Sequence, residues 1–442
     1  MTISNLLKKL LGVKPIVIED VEIEARGDEE ELVVRAKPTR KESCRCGICG
    51  RKCRLYDRGR GVRRWRSMDI GNSMRVFIEA EAPRVYCEKH GVVVQRFPWA
   101  RHGSRFTKAF EETAVWLSLH LSRKDVAEYL RVSWDTVGPI LTRVERELSE
   151  GRSPFDRLAS IGIDETSYKK GHKYITVIVN HETNAVIWVG KGYGKSVLDG
   201  FFQKLSAEQK KSIRFVTGDG ARWIRDTALE HCPDATFCID PFHVVSWATE
   251  ALDQVRRDEW NKVRIELAKE RKGREKPKRG RPKGEKASKS VFERQVEDIK
   301  SAKYPLLMNP NRLNESYKAK LSQILLHNRR LATAYHLKEE LRLIFKLPPD
   351  ELRSALMKWR RRAWSCRNPI FVELQRKIKR HMESIIATVT NGLSNARIEA
   401  TNNKIKLSVR MAYGFRNIDN LISLVMLRCG YLPVALPGRS SR

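Results

Sequence analysis

From residue 158 onward the chain follows a pattern that few folds satisfy. Residues 159–164, 172–180 and 185–190 are short runs of strand-forming character. They are followed by a helical 196–205, a strand 213–218 closed by Asp219, a helix 221–232, a strand 235–239 closed by Asp240, and a helix 244–257. Three strands followed by alternating helix and strand is the order of an RNase H-like sheet. In that order the first and fourth strands lie side by side, so Asp164 and Asp219 point at the same spot. The mouth of a central strand is where an α/β sheet places ligands, metals and chemistry. Glu165 adjoins Asp164, but strand alternation sends the two side chains to opposite faces, so only one of them joins a common site.

The residues before this segment are suited to finding DNA. The 442-residue chain carries 86 Lys and Arg against 53 Asp and Glu, a net charge of +33, which calls for a polyanionic partner; nucleic acid comes first and an anionic membrane surface second. No run of about 18 apolar residues exists, so no spanning helix is expected. Residues 1–14 read as a small amphipathic helix rather than a secretory leader. Five of the nine cysteines fall within residues 44–87, and the odd total suggests a reducing compartment with one metal cluster.

Residues 16–37 alternate as a strand pair turning at Arg26-Gly27-Asp28. Then comes Cys46-x-x-Cys49-Gly, a knuckle of two thiolates with glycine for the tight turn. Cys87-x-x-His90-Gly offers the second pair. Cys46, Cys49, Cys87 and His90 would close a tetrahedral structural Zn²⁺ site, with Cys44 and Cys53 as competitors for a place. Between the pairs, stretches 62–70 and 74–85 form a hairpin. There Arg58, Arg60, Arg63, Arg64 and Arg66 surround Trp65, a composition suited to phosphate contact and stacking, or to a solvated basic strand. Residues 105–121, 122–130 and 133–144 are helical, with Ser122 and Ser133 as N-caps. This is a helix-turn-helix pattern whose second helix would present Trp134, Asp135, Thr136 and Arg143 to the major groove, with Pro139 bending or sitting within it.

Beyond the α/β segment, residues 271–290 hold ten Lys and Arg against two Glu and read as a linker. Within it, Arg279-Gly-Arg281-Pro resembles an AT-hook for a narrow minor groove. Residues 291–388 return to helix. The final informative stretch, a helix capped by Ser394, puts Asn395, Glu399, Asn402, Lys406 and Arg410 on one face, with Ile398, Ile405 and Ala412 on another. Two strand-end aspartates and a helical glutamate are hard oxygen ligands, and two Mg²⁺ ions between them suit in-line phosphoryl transfer.

These segments together resemble the bacterial insertion-sequence transposases of the ISL3 family. The matching stretches are the Cys46…His90 knuckle, the helix-turn-helix, Ile163-Asp164-Glu165, Asp219, Ile239-Asp240-Pro-Phe-His243-Val, and Asn395-x-x-x-Glu399-x-x-Asn402-Asn403-x-x-Lys406…Arg410…Gly414-Phe415-Arg416-Asn417. The second metal pair departs from the family's Cys-x-x-Cys. The resemblance implies a multidomain α+β protein: an N-terminal zinc-binding β module, a helix-turn-helix, and an RNase H-like catalytic core interrupted by an all-helical insertion. The expected division is a strand pair (1–40), zinc module (41–100), helix-turn-helix (101–150), core (155–260), basic linker and insertion (261–388) and final core helix (389–435). It assigns catalysis to Asp164, Asp219 and Glu399, with Asp240 and His243 in support. It further implies binding of double-stranded terminal inverted repeats and target DNA, Mg²⁺-dependent strand cleavage and transfer, at least a homodimer to hold two ends, and a cytoplasmic, nucleoid-associated location. Two other readings stay open: a catalytically silent DNA-binding regulator of transposase descent, and a metal-dependent repair nuclease.

Overall fold

The computed structural model describes residues 3–13, 15–27, 29–71, 73–273, 289–393 and 396–438. The N-terminal third holds α1 (Ile3–Leu10), β1 (Ile16–Arg26), β2 (Glu29–Pro38), β3 (Arg54–Asp57), β4 (Val62–Arg66), β5 (Arg75–Glu81), β6 (Arg84–Cys87) and β7 (Gly91–Val94). These make two sheets, ordered β1-β2-β5-β4 and β3-β6-β7. The first strand pair does not stand alone, because β2 pairs in parallel with β5. The stretch read as one strand over 74–85 is two. Pro83, which has no N–H to give a ladder, separates β5 from β6, and β6 joins the second sheet. Leu7 and Leu11 at one end and Trp65, Phe97 and Trp99 at the other share one core.

Three helices follow: α2 (Lys108–Ser118), α3 (Arg123–Tyr129) and α4 (Trp134–Ser149). The Ser122 hydroxyl accepts from Asp125 N at 3.2 Å and starts α3 as expected. Ser133 holds the N-cap position of α4, but its hydroxyl turns to the Asp135 carboxylate instead of the backbone. Arg131 makes the turn between them in the left-handed region, at φ 53°. Pro139 lies on the exposed side of α4, which continues through it unbroken.

The α/β segment comprises β8 (Ser160–Lys169), β9 (Lys173–Asn180), β10 (Val186–Lys191), α5 (Lys195–Phe202), α6 (Ala207–Ser212), β11 (Phe215–Gly218), α7 (Arg222–His231), β12 (Thr236–Ile239) and α8 (Pro241–Gly273). Its sheet runs β10-β9-β8-β11-β12. β8 and β9 are antiparallel, as are β9 and β10, while β11 lies parallel to both β8 and β12. The first and fourth strands are therefore neighbours. Helix α8 extends well past the expected end at 257 and into the basic stretch. The helical region then contains α9 (Val291–Ser301), α10 (Lys303–Leu307), α11 (Glu315–His327), α12 (Arg329–Ile344), α13 (Pro349–Ser365), α14 (Pro369–Arg380) and α15 (Met382–Thr390), before α16 (Ala396–Met411) and α17 (Ile418–Cys429).

Strand alternation divides the sheet between two cores. Ile161, Ile163 and Ile178 pack with residues of α5, α7, α8 and the helices that follow. Ile175, Val177 and Val179 face the other way and pack with Ile398 and Ile405 of α16, Leu424 of α17 and Val137 and Leu141 of α4. The helix-turn-helix thus shares a core with the sheet. Gly138 permits the close approach of α4 to α17, since a Cβ there would lie 2.1 Å from the Asn420 side-chain nitrogen.

Candidate functional site

The four expected metal ligands come together. Cys46 Sγ and Cys87 Sγ each lie 3.6 Å from His90 Nδ1, and Cys49 Sγ lies 3.8 Å from Cys87 Sγ. A tetrahedral zinc ion with bonds of about 2.3 Å to sulfur and about 2.0–2.1 Å to nitrogen has S···S edges of about 3.8 Å and S···N edges of about 3.6 Å. The residues therefore fit the ion. Burial opposes ionisation of the Cys87 thiol, but His90 and the backbone N–H groups of Lys89 and His90 bring it down to about 6. Gly50 and Gly91 follow the two pairs at φ 72° and 67°, the left-handed turns the knuckles require. Cys44 and Cys53 stay outside the set.

The acids form a row along the sheet edge. Thr217 is level with Gly162, so two residues further on Asp219 comes level with Asp164. Gly218 is level with Ile239, so Asp240 falls beside Asp219. Helix α16 crosses this edge. Asn402 Nδ2 donates to Asp164 Oδ2 at 2.6 Å, while the Glu165 N–H donates to Asp164 Oδ1 at 2.8 Å. Asp219 accepts from Ala221 N at 3.0 Å, and Asp240 accepts from Phe242 N at 2.7 Å, capping the start of α8. Burial raises the Asp164 carboxyl above its ordinary value and Asp219 pushes the same way, against the Glu165 N–H, His243 and Asn402. Burial also raises Glu399, with Asp240 adding to it and His243 and Lys406 opposing it. Asp164 and Glu165 do occupy opposite faces, yet Asp219 acts on both. Burial, Asp219 and Asp164 together lift Glu165 to about 7.

Among the described residues only the zinc set gathers three or more ligand atoms within 4.8 Å of one another. Asp164, Asp219 and Glu399 share an edge at wider separation. Their donor set still suits a hard cation: three carboxylates, those of Asp164 and Glu399 raised by burial, and beside them the amide oxygen of Asn402, buried without a hydrogen-bond partner. Lys406 and Arg410 are exposed along α16, whereas Asn395 lies outside the described residues, as do Arg279 and Arg281. Sequence reasoning missed Trp247 and Lys377. The Trp247 ring closes over Gly220, whose Cβ would lie 2.6 Å from it, and the Lys377 ammonium sits 3.6 Å from that ring's centroid. Lys377 comes from α14, and no local pattern ties it to Asp219.

Several expected DNA contacts are corrected. Arg64 is held by Glu24 at 2.9 Å, Glu31 at 3.2 Å and Glu79 at 3.0 Å. Arg66 is buried against Asp69, and Trp65 is a core residue packed 4.5 Å from Phe97. Pairing of β4 with β5 sets Glu79 opposite Arg64, and Asp69 three residues along the chain takes Arg66, so both guanidinium groups are already engaged by carboxylates. Arg143 likewise pairs with the fully buried Glu111, which also takes Arg101 at 3.3 Å and the Ser104 hydroxyl at 2.8 Å. Arg63 lies half-buried, 5.7 Å from the Trp65 ring centroid. Trp134 is exposed at the start of α4 and Thr136 is half-buried.

The described residues thus join a helix-turn-helix and a zinc-ligand ribbon to an α/β sheet edged with acids. Residues 161–425 match a family model described as a transposase of ISL3 type, residues 95–145 the helix-turn-helix domain of transposase family ISL3, and residues 42–90 the zinc-finger of transposase IS204/IS1001/IS1096/IS1165. The chain is 46% identical over 441 residues to the transposase for insertion sequence element IS1557 of two Mycobacterium tuberculosis strains, covering 98% of this chain and 97% of that one. It is 28% identical over 389 residues to the transposase for insertion sequence element IS1001 of Bordetella parapertussis, covering 87% and 88%. The chain belongs to the ISL3 family of insertion-sequence transposases.

Proposed function

We propose that the chain binds the terminal inverted repeats of its element and catalyses Mg²⁺-dependent strand cleavage and strand transfer, through an RNase H-like core whose helices α9–α15 form its insertion. Asp164, Asp219 and Glu399 would hold the Mg²⁺ ions, which when bound activate the attacking oxygen and stabilise the leaving one. The observation that carries this reading is the level row of Asp164, Asp219 and Asp240, with α16 tied to it through Asn402 and Asp164. Asn402 fixes the Asp164 carboxylate. His243 lies near both Asp164 and Glu399 and would favour the ionised form of each when protonated. Asp240, engaged at the start of α8, supports the row rather than completing it. The exposed Lys406 and Arg410 on α16 and the exposed start of α4 suit a DNA backbone, and two element ends call for at least a dimer.

In the test, Glu399→Gln keeps its affinity for an inverted-repeat duplex and loses Mg²⁺-dependent cleavage of it. Wild-type cutting by that variant sinks the assignment. The alternative reading is a DNA-binding regulator without cleavage, for which the helix-turn-helix and the zinc-ligand set would suffice. That reading requires a wild-type chain that binds the end and leaves it intact in Mg²⁺.

A further inference from the structure

The turn between α16 and α17 and the start of the helix-turn-helix enclose an open cleft of about 550 Å³ that the catalytic reading leaves unused. Arg123, Lys124, Lys169 and Arg416 line it, and no carboxylate does. None of the four has an acidic partner among the described residues, and the Nη2 of Arg123 is buried without a hydrogen-bond partner. Their arrangement is braced by aromatic rings. The Arg123 guanidinium lies 4.9 Å from the Phe415 ring centroid and 5.9 Å from that of Trp134, and Arg416 lies 5.2 Å from Trp134. Tyr413 stands at the rim in the left-handed region, at φ 51°, with 91% of its surface exposed. A bulky residue is uncommon in that conformation, which throws its ring clear of the fold. Arginines braced by aromatics, beside an exposed aromatic face and without acids, suit a nucleotide: phosphate to the guanidinium groups and base to the ring.

Two rulers place the cleft relative to the acids. β8 runs from Asp164 to Lys169, about 16 Å at the rise of a strand. α16 runs from Asn402 to Met411, about 14 Å at the rise of a helix. Both end at the cleft. At about 3.4 Å per nucleotide along one strand, that is four to five nucleotides from the acid row.

We propose that this cleft takes one unpaired DNA nucleotide a few positions from the scissile phosphate, its base stacked on Tyr413 and its phosphate held by Arg123 and Arg416. The proposal deepens the transposase reading and rests on it for the identity of the DNA. Its test does not require cleavage. The probe is a short thymidine strand with 2-aminopurine at its centre, mixed with the full-length chain without added Mg²⁺. Wild type should bind it and quench the 2-aminopurine. Tyr413→Ala should bind about tenfold more weakly without quenching, Tyr413→Phe should match wild type, and duplex affinity should hold in both. Because Tyr413 is exposed, each variant should melt with wild type.

Glu399→Gln should quench fully. Quenching by a wild-type chain that never cuts an element end overturns the catalytic reading alone. The present proposal is overturned by undiminished binding to Tyr413→Ala, by a wild type that ignores the single strand, or by a Tyr413→Ala chain that loses self-association while still binding the probe. That last result would make the face an interface between copies.

Discussion

Gly162 sets the distance between the sheet and the helix that carries Glu399. A Cβ at this position would lie 2.0 Å from Ile398 Cδ1 and 2.8 Å from His181 Nε2. Ile398 and His181 are both buried, and His181 Nε2 is already 2.8 Å from Thr217 Oγ1, so the space cannot come from solvent. Gly162→Ala should therefore lower stability by about 1–3 kcal/mol in urea unfolding, the range for an overfilled core. It should also abolish cleavage, by lifting Asn402 from Asp164. Glu165 gives a pH signature. Its ordinary value is 4.5 and its folded value about 7, so the folded chain binds more protons than the unfolded one between those limits. Stability contributed by this group is complete below about 4.5 and lost as pH rises through about 7. Without divalent metal, the melting temperature should fall across that window and Glu165→Gln should flatten the fall. A metal-free melting curve that rises with pH, or is unchanged by the variant, counts against the crowded acids.

At the scale of elements, Arg101 shows how the helices of one module are held together. It precedes α2 and reaches Glu111 and Glu112 on α2 and Glu147 on α4. Arg101→Ala leaves Glu111 buried with one cation fewer, and unfolding should cost about 3–5 kcal/mol less than for wild type. A loss under about 1 kcal/mol would mean that Arg143 alone satisfies the carboxylate. The same residues show what was legible in advance. Asp219 and Asp240 at strand ends, the Cys and His pairs and the Ser122 cap are local signals, and residues a few positions apart suffice to read them; Asp164 reads as a strand end from its apolar run, but β8 carries on past it to Lys169. The uses of Arg64 and Arg143 are not local. Glu24, Glu31 and Glu79 reach Arg64 only because β1 pairs with β2, β2 with β5 and β5 with β4. From the sequence, an arginine bound for phosphate and one bound for a carboxylate look alike. Lys377 and Trp247 stayed hidden for the same reason, since α14 and α8 meet the Asp219 turn only in the folded chain.

At the scale of the whole molecule, the helix-turn-helix is not a separable reading head. Val137 and Leu141 of α4 are buried in a core completed by Leu421 and Leu424 of α17, and Thr142 Oγ1 lies 3.4 Å from Asn420 Oδ1. A fragment of residues 1–150 exposes that surface. Its helices should melt at a lower temperature than the full chain's, with binding of a hydrophobic dye, as measured by circular dichroism and fluorescence. Equal melting would show that the shared core contributes nothing. The sheet is incomplete in the same way, because Val186 at its edge bridges Gly430 and its inner face waits for Ile398 and Ile405. A mobile element accumulates frameshifts and early stop codons. Any such lesion upstream of codon 396 removes the cover from both the sheet and the reading head. The broken product should then be cleared by proteases and, on the proposed reading, should not persist as a competitor for the element's ends.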